Sequence, residues 1–255
     1  MNQSVIKAVS ILNLFVEDKE LSLQDIATQA NLPKPTAYRL LSTLENCGLL
    51  YKTKKTPQDS RYGLGLKLLE YGQLVKERLE LREIALPYME KLAEEVNEVV
   101  HLVIAYQQEA TYIEKVNSTR ALSLHTKIGR RTPLYTGSGP KMLLAFLSDQ
   151  KREEILKVSD LYTLTNERIN KKVLKQELNE IRKKQFALSV GEQDADTTGI
   201  SFPIFNYENK VIAALAVSGL SSRFQGEKLK AMKQKGRDIA NEISVQLGFK
   251  EVKEV

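Results

Sequence analysis

The 35 residues from Leu21 to Lys55, LSLQDIATQANLPKPTAYRLLSTLENCGLLYKTKK, restrict the fold more than any other stretch of the chain. They hold two short apolar-periodic helices, a proline-marked turn and then a run of lysines. Ser22 stands where an N-cap would, its hydroxyl placed to accept a free first-turn amide, and Asp25 adds negative charge at the positive helix end. The spacing predicts a helix from Leu23 to Ala30 that turns Ile26, Ala27 and Ala30 inward, and the small alanines let a second helix cross closely. Asn31, Leu32 and Pro33 stop it, because Asn suits a turn and Pro33 disfavours helical backbone in the residue before it. The second helix opens with Pro35 in its first turn, where a missing N–H costs nothing, and runs to Asn46. Ala37, Leu40, Leu41 and Leu44 form its inner face, leaving Lys34, Thr36, Tyr38, Arg39, Ser42 and Thr43 outside. A polar, acid-free face on a helix held across another by a short turn fits the major groove of B-DNA, about 12 Å wide.

Gly48 ends the second helix. Leu49 to Thr53 then reads as a strand, KKTPQDS as a polar turn, and Arg61 to Leu64 as the return strand, a wing directly after a recognition helix. Lys52, Lys54, Lys55 and Arg61 on that hairpin would reach phosphates and set position without reading sequence. The net charge is +6, and from Lys34 to Lys67 seven basic residues face two acidic ones, so this window carries most of the imbalance. Lysines alone read as a solvated hairpin on any protein; helix, proline turn, polar outer face and basic hairpin together point to double-stranded DNA.

A chain of 255 residues is long for one domain, so two are expected: residues 1–64 as the winged unit and 85–255 as a second domain, joined by a connecting helix over 65–84. That linker, GLKLLEYGQLVKERLELRE, carries more leucine than it needs for itself, which suggests cover by a partner subunit or by the second domain. The hydrophobic share of 42% and the charged share of 27% belong to an ordinary globular protein. No apolar run approaches the roughly 20 residues of a membrane span. At the N-terminus Val5, Val9, Leu12 and Phe15 are spaced as one helix face with no cleavage site after them, so a cytoplasmic protein without a leader is expected. The single cysteine, Cys47, lies far in sequence from His101 and His125, and no Cys/His metal spacing exists. His125 and Ser138 make no defensible catalytic pair, and neither a catalytic residue, a cofactor nor a metal is expected. Asn117-Ser118-Thr119 reads as a chance acceptor tripeptide.

Beyond Pro87 an amphipathic helix, PYMEKLAEEVNE, precedes three strands, Val99 to Ala105, Ala110 to Val116 and Ala121 to Lys127. Helices follow at Gly139 to Leu147, Lys151 to Val158 and Asn166 to Lys184. Strands at Ile200 to Asn206 and Val211 to Val217 and a closing helix from Gly226 complete an α+β domain with helices on an antiparallel sheet. Two polar segments stand out. Thr136-Gly137-Ser138-Gly139-Pro140-Lys141 puts glycines and hydroxyls before a helix start, which serves either as a plain turn or as a cradle for a carboxylate or phosphate. It is not a P-loop, since Lys141 follows Gly137 by only four positions. Gly191 to Asp196 is either a solvated acidic loop or the rim of the same site.

On these residues the chain resembles the IclR family of bacterial transcriptional regulators over nearly its whole length. LSLQDIATQANLPKPTAYRLLSTLENCGLL with RYGLGLKLLEYG is similar to that family's winged helix-turn-helix, PLYTGSGPKMLLAFL to its effector-pocket signature, and the Glu192 segment through ISFPIF and IAALAVSGLSSR to its C-terminal signature. The resemblance implies a GAF-like effector domain and a homodimer or dimer of dimers on operator DNA, with a small organic acid or aromatic compound as effector; a repressor controlled by an organic or sugar acid is expected. Carried over by position, the effector pocket takes in Leu124, Ser138, Gly139, Ser189, Glu192, Gly199 and Ser218, and the DNA contacts Ser22 together with the outer-helix and wing residues above. The chain departs from the family pattern at Tyr135, Gly137-Ser138, Ser189 and Gly199, where His, Ala, an acid and Cys are common, which bears on the ligand's identity. The alternative is an enzyme or sensor built on the second domain, with the N-terminal unit docking a protein.

Overall fold

The computed structural model describes residues 2–16, 18–54, 60–77, 80–120, 126–157 and 160–250, and the chain's contacts divide it into Met1–Leu79 and Glu80–Val255. In the first unit α1 (Gln3–Leu14), β1 (Leu21–Ser22), α2 (Leu23–Gln29), α3 (Lys34–Asn46), β2 (Leu50–Lys54), β3 (Ser60–Leu64) and α4 (Leu66–Glu77) follow in order. Ile11, Phe15, Leu21, Ile26, Leu41, Leu44, Leu50 and Tyr62 make its core. Asn31 takes the left-handed conformation after α2, so the Leu32 N–H reaches the Ala27 carbonyl at 2.9 Å and turns the chain into α3. Gly48 does the same after α3, with the Leu49 N–H on the Leu44 carbonyl at 2.9 Å. The hairpin β2–β3 is joined by β1 into a three-stranded sheet, order β1-β3-β2, with Leu21 opposite Tyr62. In α1 the expected face is displaced: Val5 and Val9 are 57% and 49% exposed, and Ile11 is the buried residue, because the packed part of α1 lies toward its C-terminal end.

The second unit contains α5 (Glu80–Val96), β4 (Val99–Tyr106), β5 (Glu109–Val116), β6 (Arg131–Pro133), α6 (Ser138–Phe146), α7 (Asp149–Leu156), α8 (Lys171–Lys184), β7 (Ala187–Val190), β8 (Thr197–Phe205), β9 (Val211–Leu220) and α9 (Gly226–Gln246). Its strands form one antiparallel six-stranded sheet, order β6-β5-β4-β9-β8-β7. Met89 and Leu92 of α5 and Ile239 and Ile243 of α9 pack with Val100, Leu102, Phe202, Leu215 and Val217 of the sheet. Met142 and Leu144 of α6 and Leu174, Leu178 and Ile181 of α8 pack with Val103 and Ala214 in a second cluster. Burial on both faces is why β4 and β9 read as near-continuous apolar runs rather than alternating ones.

Of the connecting helix expected over 65–84, α4 is described to Glu77 and α5 from Glu80, and the two residues between lie outside the described ones. Three expectations need correction. Pro87 sits inside α5 instead of preceding it; its missing N–H costs one hydrogen bond, while Ile84, Ala85, Tyr88, Met89 and Leu92 pack along the same helix on both sides of it. The helix expected from Asn166 starts at Lys171, where the Asn170 carboxamide oxygen caps the amides of Lys172 and Val173 at 2.9 and 3.3 Å. Of the strand expected from Ala121 to Lys127, residues 121–125 lie outside the described ones and Thr126 and Lys127 belong to no strand; the strand beside β5 is Arg131–Pro133. Among the described residues no helix is long and apolar enough to cross a membrane.

Candidate nucleic-acid interface and ligand cavity

The Ser22 hydroxyl opens α2 as half of a reciprocal cap: it accepts the Asp25 amide at 3.2 Å, and the Asp25 carboxylate accepts the Ser22 N–H at 3.0 Å and hydroxyl at 2.7 Å. These bonds to Ser22, with a smaller share from Arg61, hold the Asp25 carboxyl below its ordinary value. α3 buries Ala37, Leu41 and Leu44, so Lys34, Tyr38, Arg39 and Thr43 stand exposed, with Thr36 and Ser42 half-buried beside them. The Thr43 hydroxyl donates to the Arg39 carbonyl at 2.9 Å. Ser22 and Thr43 thus have their hydroxyl protons engaged within their own helices, while Lys34 and Arg39 supply the cationic edge of α3.

In the wing, Lys52 is opposite Tyr62 and its ammonium lies 5.5 Å from the centre of the Tyr62 ring. Arg61 pairs in register with Ser22 on one side and Thr53 on the other, and Lys54 is opposite Ser60. Lys55 lies outside the described residues. Gly63 lets the hairpin close under Tyr51, since an added Cβ would come 2.5 Å from the Tyr51 ring.

The second unit holds a cavity of about 30 Å³ between the sheet and the start of α6. Ser189, Gly199 and Ser218 are lateral neighbours across β7, β8 and β9, and the next row on that face holds Ser201, Ala216 and His101. Ser138 and Gly139 close the cavity from α6, and Tyr112, Gln193, Asp194 and Thr198 are also in its lining. Gly139 is packed on Val103 and Ala216, and Gly199 leaves room for the Ser138 and Ser218 hydroxyls: a Cβ there would stand 2.7 and 3.3 Å from them. Of the seven residues anticipated, Ser138, Gly139, Ser189, Gly199 and Ser218 meet at this cavity, and Leu124 lies outside the described residues. Glu192 is beside the cavity without lining it. Its carboxylate accepts the Gly137 N–H at 2.7 Å and the buried Lys141 ammonium at 2.5 Å, and Lys141 also reaches Glu177 at 2.5 Å. That network braces the turn at Gly137, whose φ of 95° favours glycine.

Several lining groups had not been anticipated, among them His101, Tyr112, Thr126, Thr197 and Thr198. Their one signal in the sequence is His101, a lone polar residue in the run VVHLVIA, and its register with Ala216 puts it on the cavity side. The imidazole is 1% exposed, and among the described residues neither nitrogen has a hydrogen-bond partner. Burial above all, with the positive charges of Lys115 and Arg130, pushes its pKa down to about 3, so it is neutral at physiological pH. The Tyr112 ring meets it edge-on at 5.3 Å, and the Tyr112 hydroxyl donates to Gln193 Oε1 at 3.0 Å. Gly137, the N-cap of α6, has no side chain with which to cap it, the Glu192 carboxylate accepts its N–H at 2.7 Å, and Ser138 and Gly139 of the first turn line the cavity. Hydroxyls and the backbone of a helix start suit a small ligand with hydrogen-bonding substituents. A volume of this size holds about two waters, so anything larger needs side chains to move.

Comparison with known proteins bears on both sites. Residues 4–54 match the IclR helix-turn-helix domain, and residues 73–245 match the family described as bacterial transcriptional regulator IclR C-terminal. The chain is 35% identical over 249 residues to the HTH-type transcriptional regulator KipR of Bacillus subtilis, covering 97% of this chain and 98% of that one. With the solved IclR structure of Thermotoga maritima it shares 31% identity and a TM-score of 0.76, over 96% of this chain and 99% of that one. An IclR homologue from Microbacterium hydrocarbonoxydans, solved in complex with 4-hydroxybenzoate, is similar at 26% identity and a TM-score of 0.82, over 96% and 99%.

Proposed function

The chain belongs to the IclR family of bacterial transcriptional regulators, a family of regulators and not of enzymes, and from that membership we propose a cytoplasmic, operator-binding repressor of a metabolic operon, released by a small organic or sugar acid. The observation that carries the DNA half is α3, whose exposed face offers Lys34, Tyr38, Arg39 and Thr43 next to the basic hairpin β2–β3. The roles divide by position. Arg39, on the outer face of the recognition helix, reads base edges, while Lys52, Lys54, Lys55 and Arg61 hold phosphates. The effector half rests on the cavity at the start of α6. Its ligand acts through unequal affinity for the DNA-competent and DNA-incompetent states, and homodimers or dimers of dimers pair the recognition helices.

Binding of the purified protein to the DNA upstream of its own gene and to random duplex, at several salt concentrations, tests the proposal. Arg39→Ala is expected to weaken operator binding by about 1–3 kcal/mol and to lessen sequence preference. Lys54→Ala is expected to weaken all duplexes alike and to flatten the salt slope by about one unit. Unchanged affinities in both variants overturn the assignment.

A further inference from the structure

A buried imidazole with neither nitrogen bonded has no structural reason to be there. Such a group carries a desolvation cost of about 1–3 kcal/mol for each unpaired atom, and apolar side chains of similar size avoid it. Val103, two positions along the same strand and fully buried against α6, shows that an apolar residue fits that face. His101 lines the cavity, with Ser201, whose hydroxyl is also buried without a partner, in the same row of the sheet one strand beyond Ala216.

We propose that His101 is a specificity-determining residue of the effector cavity, and that it selects a small hydroxy acid by pairing with the hydroxyl next to the carboxylate. This rests on the regulator reading above. The carboxylate is assigned to the first turn of α6 at Ser138 and Gly139, with the Ser138 and Ser218 hydroxyls close to Gly199. In the next row of the sheet His101 lines the cavity with both nitrogens unpartnered. A neutral imidazole presents one donor and one bare acceptor, and a hydroxyl satisfies either because it gives and takes a hydrogen bond. A second carboxylate only accepts, so it fits poorly: Asp194 already lines the cavity, and the imidazole resists charging in this setting, with Lys115 and Arg130 near it. An unsubstituted acid leaves the imidazole unpaired, the situation in which a polar site discriminates most strongly.

The test compares glycolate with acetate and lactate with propionate by titration calorimetry, together with release of the protein from its own upstream DNA. Wild type is expected to bind at least one of the two hydroxy acids about tenfold or more tightly than its deoxy partner, roughly the worth of one hydrogen bond. His101→Leu is expected to bring that ratio within about twofold. His101→Gln, which keeps a donor and an acceptor, is expected to retain at least a threefold preference, and it decides the matter if the leucine variant fails to fold. Equal affinities in wild type, no binding of any of the four acids, or a ratio that survives in His101→Leu overturns the role of His101. Operator binding that is released equally by both members of a pair removes only this inference; failure of wild type to bind its own upstream DNA removes the regulator reading itself.

Discussion

Burial decides the charge of His101, and with it the acid stability of the second unit. The ordinary value for a histidine is 6.5, and the folded protein holds this one at about 3. Between those values the unfolded chain binds a proton that the native one refuses, so stability falls as pH drops from about 6.5 toward 3 and is unaffected by this group above that window. The slope amounts to about 1.4 kcal/mol per pH unit at most. Lys115, Arg130, Tyr112 and Asp194, which face or surround the imidazole, are the same in wild type and in His101→Leu. Urea unfolding of both proteins from pH 7 to pH 4 is therefore expected to show the leucine variant gaining on wild type as the solution is acidified. Two parallel stability curves would mean that the imidazole titrates normally. A histidine within VVHLVIA reads as core from sequence, since nothing local reports that the opposite side of its strand neighbour is a cavity. Ser22 is the contrasting case, because a cap and its partner lie three positions apart in the sequence and meet in the structure as expected. Ser22→Ala is expected to lower the first unit's stability by about 1 kcal/mol, read as a lowered thermal midpoint, with no midpoint change counting against the cap.

Elements were legible in proportion to how local their causes are. α2, α3 and the wing follow from caps, a proline turn and glycines spaced within a few residues, and their bounds agree with expectation to within one or two positions. Pro87 misled because the rule that breaks a helix at proline is local, whereas the packing of Ala85, Met89 and Leu92 that carries α5 through it is not. β7 gave no signal, since four residues, ALSV, acquire their strand from β8. The junction between the wing and α4 shows what a sequence hides. Gly65 donates its N–H to the Leu49 carbonyl at 2.9 Å, and a Cβ on it would stand 2.1 Å from the Gly48 carbonyl oxygen, a backbone atom that cannot step aside. Gly72, within α4, has nothing within 4 Å of its virtual Cβ. Gly65→Ala is expected to destabilise the first unit by about 2 kcal/mol or more and to abolish operator binding, while Gly72→Ala stabilises it by about 0.5–1 kcal/mol. Circular dichroism melts of the full chain check both, and equal midpoints for the two variants would contradict the close approach at Gly65.

Sequence discrimination by the whole molecule asks for more than one chain. The exposed face of α3 spans a few base pairs, and a single such helix leaves most of the genome unexcluded, whereas two copies on a two-fold axis multiply their discrimination across half-sites one helical turn, or a multiple of it, apart. The first unit carries apolar surface that its own core does not use. Leu66 and Leu69 on α4 are 79% and 67% exposed, and Tyr71 and Leu74 follow on the same helix. Covering each leucine in a dimer contributes about 1.5–3 kcal/mol, enough for four of them across a two-fold interface to set the association equilibrium. Leu66→Lys with Leu69→Lys is therefore expected to leave the melting of the first unit within about 1 °C of wild type, because neither side chain belongs to the core, yet to lower operator affinity more than tenfold and shift sedimentation toward the monomer. Footprinting would show the paired protection of wild type reduced to weak, unpaired contacts. If the doubly charged variant sediments and footprints like wild type, α4 is not where the copies meet, and the leucines need another explanation.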